Sequence, residues 1–229
     1  MYSPVAIFVY NRLDNTMKTV EALRNNTVAS QTDVYVFSDG GKDDASWLKV
    51  NELRRYLHLL KQESDKLGLF KSMTIIERPE NIYLERNITE GISYVLDCHS
   101  TVVVLEDDIV TSPYFLDYMN HAFELYKGDE SVMHVSGFTN LDLPAEEFSD
   151  FYFTPHMSGW GWGTWRDKWQ RHFKHYQSES EALEGMTESD KNAMEYDGVF
   201  PCLKSLKKDP IPWDICWETA IYKSGGLCL

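Results

Sequence analysis

Length, composition and charge limit the classes of protein that this chain can belong to. It has 229 residues, of which 43% are hydrophobic and 25% are charged, the balance of a globular protein with a sizeable core. The formal net charge of −14 repels nucleic-acid phosphates and argues against non-specific DNA or RNA binding. The four cysteines have no metal-binding spacing, so we expect free thiols in a reducing compartment. The first residues do not form a signal-peptide pattern and no stretch is long enough to span a membrane. We therefore expect a cytoplasmic protein, free to associate peripherally with the inner face of the membrane.

The first half of the chain alternates strand and helix patterns. Strands are predicted at residues 4–10, 34–38, 73–77 and 101–105, and their apolar residues are contiguous rather than alternating. Helices are predicted between them, the first at 15–24 with Asp14 as its N-cap, the others from apolar residues at helical spacing. This alternation indicates an α/β fold with a mostly parallel sheet and right-handed crossovers.

After Asp108 the pattern changes. Ser112-Pro113 is typical of a helix start, and residues 131–138 and 150–154 are predicted to be strands antiparallel to the first set. Polar helices are predicted between 178 and 196, and a last helix at 213–223. The final residues, GGLCL, have the pattern of a strand that begins there, so we expect the chain to continue beyond Leu229.

Polar residues cluster where the predicted strands end. Arg12 follows the first strand, Asp39 follows the second, and Glu106-Asp107-Asp108 follows the fourth. Ligands of open α/β sheets bind beyond the carboxyl ends of the strands, so these groups should open onto one edge. The GxGxxG and P-loop motifs of dinucleotide- and nucleotide-binding proteins are absent. A nucleoside diphosphate fits the remaining set, with a metal on the acidic cluster, Arg12 on the phosphates and Asp39 on the nucleobase or ribose.

The order of several motifs along the chain resembles a known family. VLEDDI resembles the acidic motif of GT-A glycosyltransferases. The ordered set is similar to that of the N-acetylglucosaminyltransferase I family and related bacterial glycosyltransferases, and it consists of PVAIFVYNR, VFSDGG, VLEDDI, HVSGF, SGWGWGTW and PWDICW. The resemblance covers nearly the whole chain. It implies a GT-A fold, with a Rossmann-like nucleotide-sugar-binding half at 1–108 and an acceptor and catalytic-base half at 109–229 around one mixed, mostly parallel sheet.

The resemblance also implies roles for individual residues in the donor site. Asp108 would be the ligand of a divalent cation, Mn²⁺ or Mg²⁺, with Glu106 and Asp107 close to the ribose or supporting the metal. Arg12 would contact phosphate, and Asp39 would contact uracil. Tyr10 and Asn11, in the first motif, would also bind the donor.

The two later motifs supply the remaining predicted functions. SGWGWGTW would be a loop that closes over the donor sugar, with Trp160, Gly161 and Trp162 as donor-binding residues. Asp214 would be the catalytic base that deprotonates the acceptor hydroxyl, with Glu218 as the alternative base. Apolar neighbours tend to raise the pKa of such a carboxylate, which suits a general base.

Each of these residue assignments has a structural alternative. The acidic triplet is also explained by a solvated strand end, Asp39 by turn chemistry, and Arg12 by a surface charge or a pair with Asp14. Asp214 fits the first turn of a helix, and the two tryptophans of GWGW fit a core. His134 and His156 are left as structural or unassigned.

Together these patterns predict a metal-dependent inverting glycosyltransferase. It would move a sugar from a nucleotide-sugar donor, a UDP-sugar, to a hydroxyl of a glycan or glycolipid in bacterial polysaccharide assembly. The alternatives are a nucleotidyltransferase that makes a nucleotide-sugar, and a non-catalytic sugar-binding module. The first would carry a glycine-rich basic loop after strand one, and the second would not need a nucleotide site.

Overall fold

The contiguous apolar segments form the sheet at the centre of the fold. The computed structural model describes residues 2–139, 151–198 and 200–229. The strands in these residues are β1 (Val5–Val9), β2 (Asp33–Ser38), β3 (Ser72–Glu77), β4 (Thr101–Glu106), β5 (Val132–Ser136), β6 (Trp162–Trp165) and β7 (Leu227–Cys228). They form one seven-stranded sheet in the order β3-β2-β1-β4-β6-β5-β7. The predicted α/β fold with one mixed, mostly parallel sheet is confirmed.

Strand direction differs from the sequence prediction in the second half. β1 pairs in parallel with both β2 and β4, and β2 pairs in parallel with β3. β6 is antiparallel to β4 and to β5, so β5 runs in the direction of the first four strands and not against them. β7 pairs in parallel with β5, which confirms a strand in the final residues.

Two segments differ from their predicted structure. In the described part of 150–154, which excludes residue 150, the predicted strand is reduced to an isolated bridge between Thr154 and Cys228. Residues 162–165, predicted as part of a closing loop, form strand β6 instead. The pairing of β6 with β4, more than 55 residues earlier in the chain, is the reason, since sequence patterns do not show such distant partners.

Helices cover both faces of this sheet. Their bounds in the described residues are α1 (Leu13–Arg24), α2 (Asp44–Leu67), α3 (Tyr83–Cys98), α4 (Phe115–Tyr126), α5 (Arg166–His172), α6 (Glu179–Ala182), α7 (Glu188–Glu195), α8 (Cys202–Ser205) and α9 (Trp213–Lys223). None of the helices in the described part of the chain has the length and apolarity that crossing a membrane requires.

Two helix starts lie at other residues than predicted. α1 begins at Leu13, so that Asp14 lies inside its first turn and does not cap it. α4 begins at Phe115, after the Ser112-Pro113 pair.

The core has two layers because successive strand residues face opposite sides of the sheet. Val5, Ile7 and Val9 of β1 belong to a cluster with α1, α2 and α4, while Ala6 and Phe8 belong to a cluster with α3, α5 and α9. Burial on both faces is the pattern expected of a central parallel strand. It leaves the carboxyl ends of the strands as the edge where polar side chains collect.

Candidate active site

A cavity of about 270 Å³ opens at the carboxyl edge of β1, β2 and β4. It brings together residues from the three predicted groups, and its polar and aromatic lining includes Tyr10, Asn11, Arg12, Asp39, Lys42, Asn81, Tyr83, Asn87, Glu106 and Asp107. The prediction that the groups after the three strands meet at one edge agrees with this geometry.

The acidic triplet at the end of β4 is not a fully solvated strand end. Asp107 is buried and Glu106 is mostly buried, whereas the side chain of Asp108 is 45% exposed. Burial, together with the charges of Asp108 and Asp107, raises the pKa of Glu106 to about 7. Burial also raises the pKa of Asp107, against the opposing effect of Arg12. Two of the three adjacent carboxyl groups, those of Glu106 and Asp107, are thus held in a setting that disfavours their charge.

Arg12 is the counter-ion of this triplet. Its Nε donates to Asp107 Oδ2 at 3.2 Å, its Nη2 pairs with Asp107 Oδ1, and its Nη1 donates to Asp108 Oδ2 at 3.0 Å. The hydrogen bonding of Arg12 to the Asp107 carboxylate, which accepts, raises the pKa of Arg12. The alternative in which Arg12 pairs with Asp14 is therefore not what the structure shows. The guanidinium thus pairs with the same carboxylate oxygens that a divalent cation would bind.

Asp39 joins the end of β2 to the segment before α3. Its Oδ1 accepts from the backbone N–H groups of Gly40 and Ile82, both at 2.9 Å, and its Oδ2 accepts from Asn81 Nδ2 at 2.9 Å. Three of the roughly four acceptor positions of this buried carboxylate are therefore filled by the protein itself. The contact of Asp39 with a nucleobase stays a prediction.

Gly40 allows the close approach on which this junction depends. A Cβ atom at this position would lie 2.3 Å from the backbone carbon of Glu80. Glycine is therefore required here by contact and not by backbone torsion.

Arg54 supports the same junction and was missed in the sequence. It is on α2, and its Nη2 donates to the backbone oxygens of Ser38, Asp39 and Arg78 at 3.2, 3.3 and 2.8 Å. It thereby ties the carboxyl ends of β2 and β3 together. The available signal was its position on the apolar face of the helix, one turn after Val50, where a charge needs buried partners.

Lys42 and Tyr83 were also missed. The Lys42 ammonium lies 5.8 Å from the centre of the Tyr10 ring and 4.9 Å from that of Tyr83. Tyr83 has a φ of 65°, in the left-handed region that non-glycine residues seldom adopt. We find no pattern in the sequence that would have indicated these contacts.

The two candidate bases lie one turn apart on α9 and differ in their contacts. Asp214 is partly buried, its Oδ1 accepts from the Ile215 N–H at 2.9 Å, and burial raises its pKa. Its charge also contributes to the raised pKa of Glu106, which places it near the triplet. Glu218 is 4% exposed and both of its oxygens are used, by His156 Nδ1 at 2.6 Å and by the Met157 N–H at 2.7 Å. The geometry favours Asp214 as the carboxylate that can receive a proton from a ligand.

The GWGW segment divides between surface and core. Trp160 is 60% exposed and its ring lies 4.7 Å from that of Phe138, while Gly161 has a φ of 72°. Trp162 is fully buried in β6, stacked on Trp213 at 5.4 Å between ring centres. The prediction that Trp162 binds the donor is wrong in this structure, because its ring has no exposed surface to offer a ligand.

A second, larger groove adjoins this segment. Its volume is about 920 Å³ and its lining includes the exposed rings of Tyr114, Phe138, Phe153 and Trp160, with His156 at its wall. Gly161, next to Trp160, approaches Ile109, the residue after Asp108. The segment that carries Trp160 therefore brings one end of this groove close to the acidic triplet.

The acidic triplet provides the oxygen ligands that Mg²⁺ and Mn²⁺ prefer. Among the described residues no group of three His, Cys, Asp or Glu side chains is placed to enclose a metal. A cation held by one or two carboxylates and completed by phosphate oxygens and water does not require such a group. The residues present thus fit a metal that binds together with a phosphorylated ligand.

Comparison with known proteins identifies the fold. No protein-family profile matches the sequence, and no curated protein matches it. The structure of S. aureus TarS 1-349 is similar over 100% of this chain and 58% of that one, with 12% identity and a TM-score of 0.52. The mannosyltransferase PcManGT from Pyrobaculum calidifontis, in complex with GDP-Man and Mn²⁺, is similar over 96% of this chain and 70% of that one, with 13% identity and a TM-score of 0.51. The chain therefore has a glycosyltransferase fold, and it spans little more than half the length of the TarS structure.

Proposed function

We propose that this protein is a metal-dependent inverting glycosyltransferase that moves a sugar from a UDP-sugar to a hydroxyl of a glycan or glycolipid. The observation that carries this proposal is the partly buried acidic triplet with Arg12 at the end of β4, beside the cavity formed by the ends of β1 and β2. On the glycosyltransferase fold, this is a site for a diphosphate and its cation. The order of motifs along the chain supports a relation to the N-acetylglucosaminyltransferase I family.

Asp108 is the proposed ligand of Mn²⁺ or Mg²⁺. It is the most exposed member of the triplet, and its carboxylate pairs with the half-exposed Arg12. When bound, the cation would stabilise the negative charge of the diphosphate leaving group. Asp107 keeps its paired contact with Arg12, which fixes the guanidinium. Arg12 Nη1, which donates to Asp108 in this structure, would be free to contact a phosphate oxygen once Asp108 binds the cation.

Asp214 is the proposed base. The acceptor hydroxyl gives its proton to the Asp214 carboxylate while its oxygen forms the bond to the anomeric carbon, and the bond between that carbon and the diphosphate oxygen breaks. Displacement from the opposite side inverts the anomeric centre. The raised pKa of Asp214 suits this role, since burial makes the carboxylate a better proton acceptor.

Trp160 and the adjacent Gly161 are proposed to contact the sugar of the donor. The exposed indole offers a flat face for a sugar ring, and the aromatic groove next to it offers further faces for the acceptor. A cytoplasmic location, with access to acceptors at the inner face of the membrane, is the setting that fits a polysaccharide or glycolipid product.

The structures with a similar fold support a nucleotide-sugar as the donor, but they do not support uracil as its nucleobase. The PcManGT structure contains a nucleotide-sugar and Mn²⁺, which favours the metal and the donor class. Its nucleotide is a guanosine derivative, so the uracil assignment rests on the motifs of this chain.

The alternatives have less support. A nucleotidyltransferase would carry a glycine-rich basic loop after β1, whereas residues 10–12 contain no glycine and α1 begins at Leu13. A sugar-binding module would leave the arrangement of the acidic triplet unexplained.

Calorimetric titration of UDP with and without Mn²⁺, followed by a hydrolysis screen of nucleotide-sugars, tests the proposal. We expect UDP binding that strengthens at least about tenfold with Mn²⁺ and slow hydrolysis of one UDP-sugar, because water can replace the acceptor hydroxyl. Absence of UDP binding with Mn²⁺ would contradict the proposal. Metal-independent binding would contradict only the metal assignment.

A further inference from the structure

The aromatic groove next to Trp160 is large and presents several rings to solvent. Its volume of about 920 Å³ is near the upper end of the range for small-molecule sites, about 300–1,000 Å³, so it has room for more than one sugar ring. The exposed rings in its lining are those of Tyr114, Phe138, Phe151, Phe153, Trp160 and Tyr196. Exposed aromatic surface concentrated in one groove indicates a ligand that covers it.

The lining of this groove carries no formal charge in the part of the chain that the structure describes. None of the lining residues there is an Asp, Glu, Lys or Arg, and His156 at the wall is already paired with the carboxylate of Glu218. Residues 140–150, outside the described ranges, have only acidic charges in the sequence. In a chain with a net charge of −14, a carboxylate or phosphate on the ligand would lose water here without gaining a cation. The groove therefore favours an uncharged ligand.

The polar side chains of the lining are mainly hydroxyl groups. Thr154 Oγ1 accepts from the His156 N–H at 3.2 Å, and Ser158 Oγ accepts from the Trp160 N–H at 3.4 Å. Each hydroxyl keeps its own proton, which it donates to no other group among the described residues and which a ligand oxygen can accept. A hydrocarbon chain offers no such oxygen, whereas every sugar unit of a saccharide does.

One end of the groove lies close to the two carboxylates that the proposed mechanism uses. Gly159 lines the groove, and a Cβ atom on it would lie 3.8 Å from the ring of Trp213, the residue before Asp214. Gly161 approaches Ile109, the residue after Asp108. A ligand that fills the groove can therefore present its terminal hydroxyl to this end.

Resting on the proposed function, we propose that the groove takes the acceptor as an uncharged oligosaccharide of two or more sugar units and discriminates against acceptors that carry carboxylate or phosphate groups. The C–H groups of a sugar face carry partial positive charge and stack on the negative faces of aromatic rings. The sugar hydroxyls accept from the hydroxyl groups between the rings. A glycolipid acceptor would contact the groove through its sugars and not through its lipid.

Binding to a glycan microarray in the presence of UDP and Mn²⁺ is the first test. The array carries neutral, uronic-acid-containing and phosphorylated glycans of different lengths, and the strongest neutral glycan is then titrated by calorimetry beside its acidic counterpart. We expect neutral glycans of two or more units to bind at least about tenfold more tightly than the acidic counterpart and than the single sugar. Preference for acidic or phosphorylated glycans, or binding of none, overturns the inference.

Variants in the groove show whether the glycan binds there. Tyr114 is 69% exposed, and Tyr114→Ala and Phe153→Ala should each weaken the neutral glycan by about tenfold. Tyr114→Lys should weaken the neutral glycan and strengthen binding of its acidic counterpart. Tyr94→Ala is the matched control, because Tyr94 is a 52% exposed aromatic residue of α3 outside the groove, and it should bind the glycan as the wild type does.

The outcomes for the groove and for the proposed function can be told apart. All four variants should keep the wild-type affinity for UDP with Mn²⁺, since none of these residues lines the cavity at the acidic triplet except through the neighbouring segment. Wild-type glycan affinity in both Tyr114→Ala and Phe153→Ala overturns the inference and leaves the proposed function standing. Neutral glycan binding that depends on these rings, in a protein that does not bind UDP, supports the ligand class of the groove and contradicts the proposed function.

Discussion

The stability of the fold should depend on pH through His134, a histidine of β5 that is completely buried. Its Nδ1 accepts from Trp217 Nε1 at 3.3 Å, and its Nε2 donates to the Ser158 carbonyl oxygen at 3.1 Å, so the ring is neutral with its proton on Nε2. Burial lowers the pKa of His134 from 6.5 to about 3. The unfolded chain binds a proton at this histidine below pH 6.5 and the folded chain does not, so stability falls as the pH drops from 6.5 toward 3.

The size of the effect follows from the two pKa values. Between pH 7 and pH 5 the unfolded state gains about 2 kcal/mol from protonation of this one histidine, since a pH unit is worth about 1.4 kcal/mol. This window lies well above the pKa of His134 in the folded protein, so its exact value matters little.

Urea unfolding at pH 7 and pH 5, followed by the fluorescence of the seven tryptophans, measures the effect. Other groups also titrate in this window, so the informative quantity is the difference between variants. In His134→Gln, which does not titrate, the loss of stability on acidification should be smaller than in the wild type by about 2 kcal/mol. His121→Gln, at an exposed position of α4, is the matched control and should keep the wild-type loss. If His134→Gln loses as much stability as the wild type, the reasoning is refuted.

Three further predictions concern the site. Asp108→Ala should keep the fold but remove the strengthening of UDP binding by Mn²⁺ in calorimetric titration, and unchanged strengthening would remove the metal assignment. Asp214→Asn should keep UDP affinity while the transfer rate, measured with the donor found by the hydrolysis screen, falls at least about a hundredfold. If Glu218→Gln lowers the transfer rate to the same extent with an unchanged melting temperature, the catalytic base is Glu218 and not Asp214. Gly40→Ala should lower the melting temperature and weaken UDP binding, because the added Cβ would lie 2.3 Å from the backbone of Glu80, whereas Gly128→Ala adds a methyl group in open space and should do neither.

The sequence was sufficient where structure depends on neighbouring residues. Contiguous apolar residues predicted β1, β2 and β4 within one or two residues, and their order predicted which polar groups meet. The acidic triplet could be placed beside the cavity because it directly follows β4, whose position was predicted.

The errors and omissions have a common physical origin in contacts between distant parts of the chain. The alternation of Trp and Gly in GWGWGTW suits a loop as well as a strand, and the pairing of Trp162 with Val104 of β4 decides between them. Glu218 and Asp214 are equivalent candidates in the sequence, and only the contacts of Glu218 with His156 and Met157 show that its carboxylate is occupied. The roles of Arg54 and Asn81 depend likewise on where the ends of β2 and β3 come to lie.

The position of β6 has a consequence for the proposed boundary at residue 108. β6 lies along β4, with Val102, Val103 and Val104 paired to residues of the second half. A fragment ending at 108 would expose that row of unpaired amides next to a valine-rich strand, a template on which further copies could add. The two halves can therefore have separate tasks without being separable molecules, and a swap of donor halves between related enzymes must carry a partner strand with it.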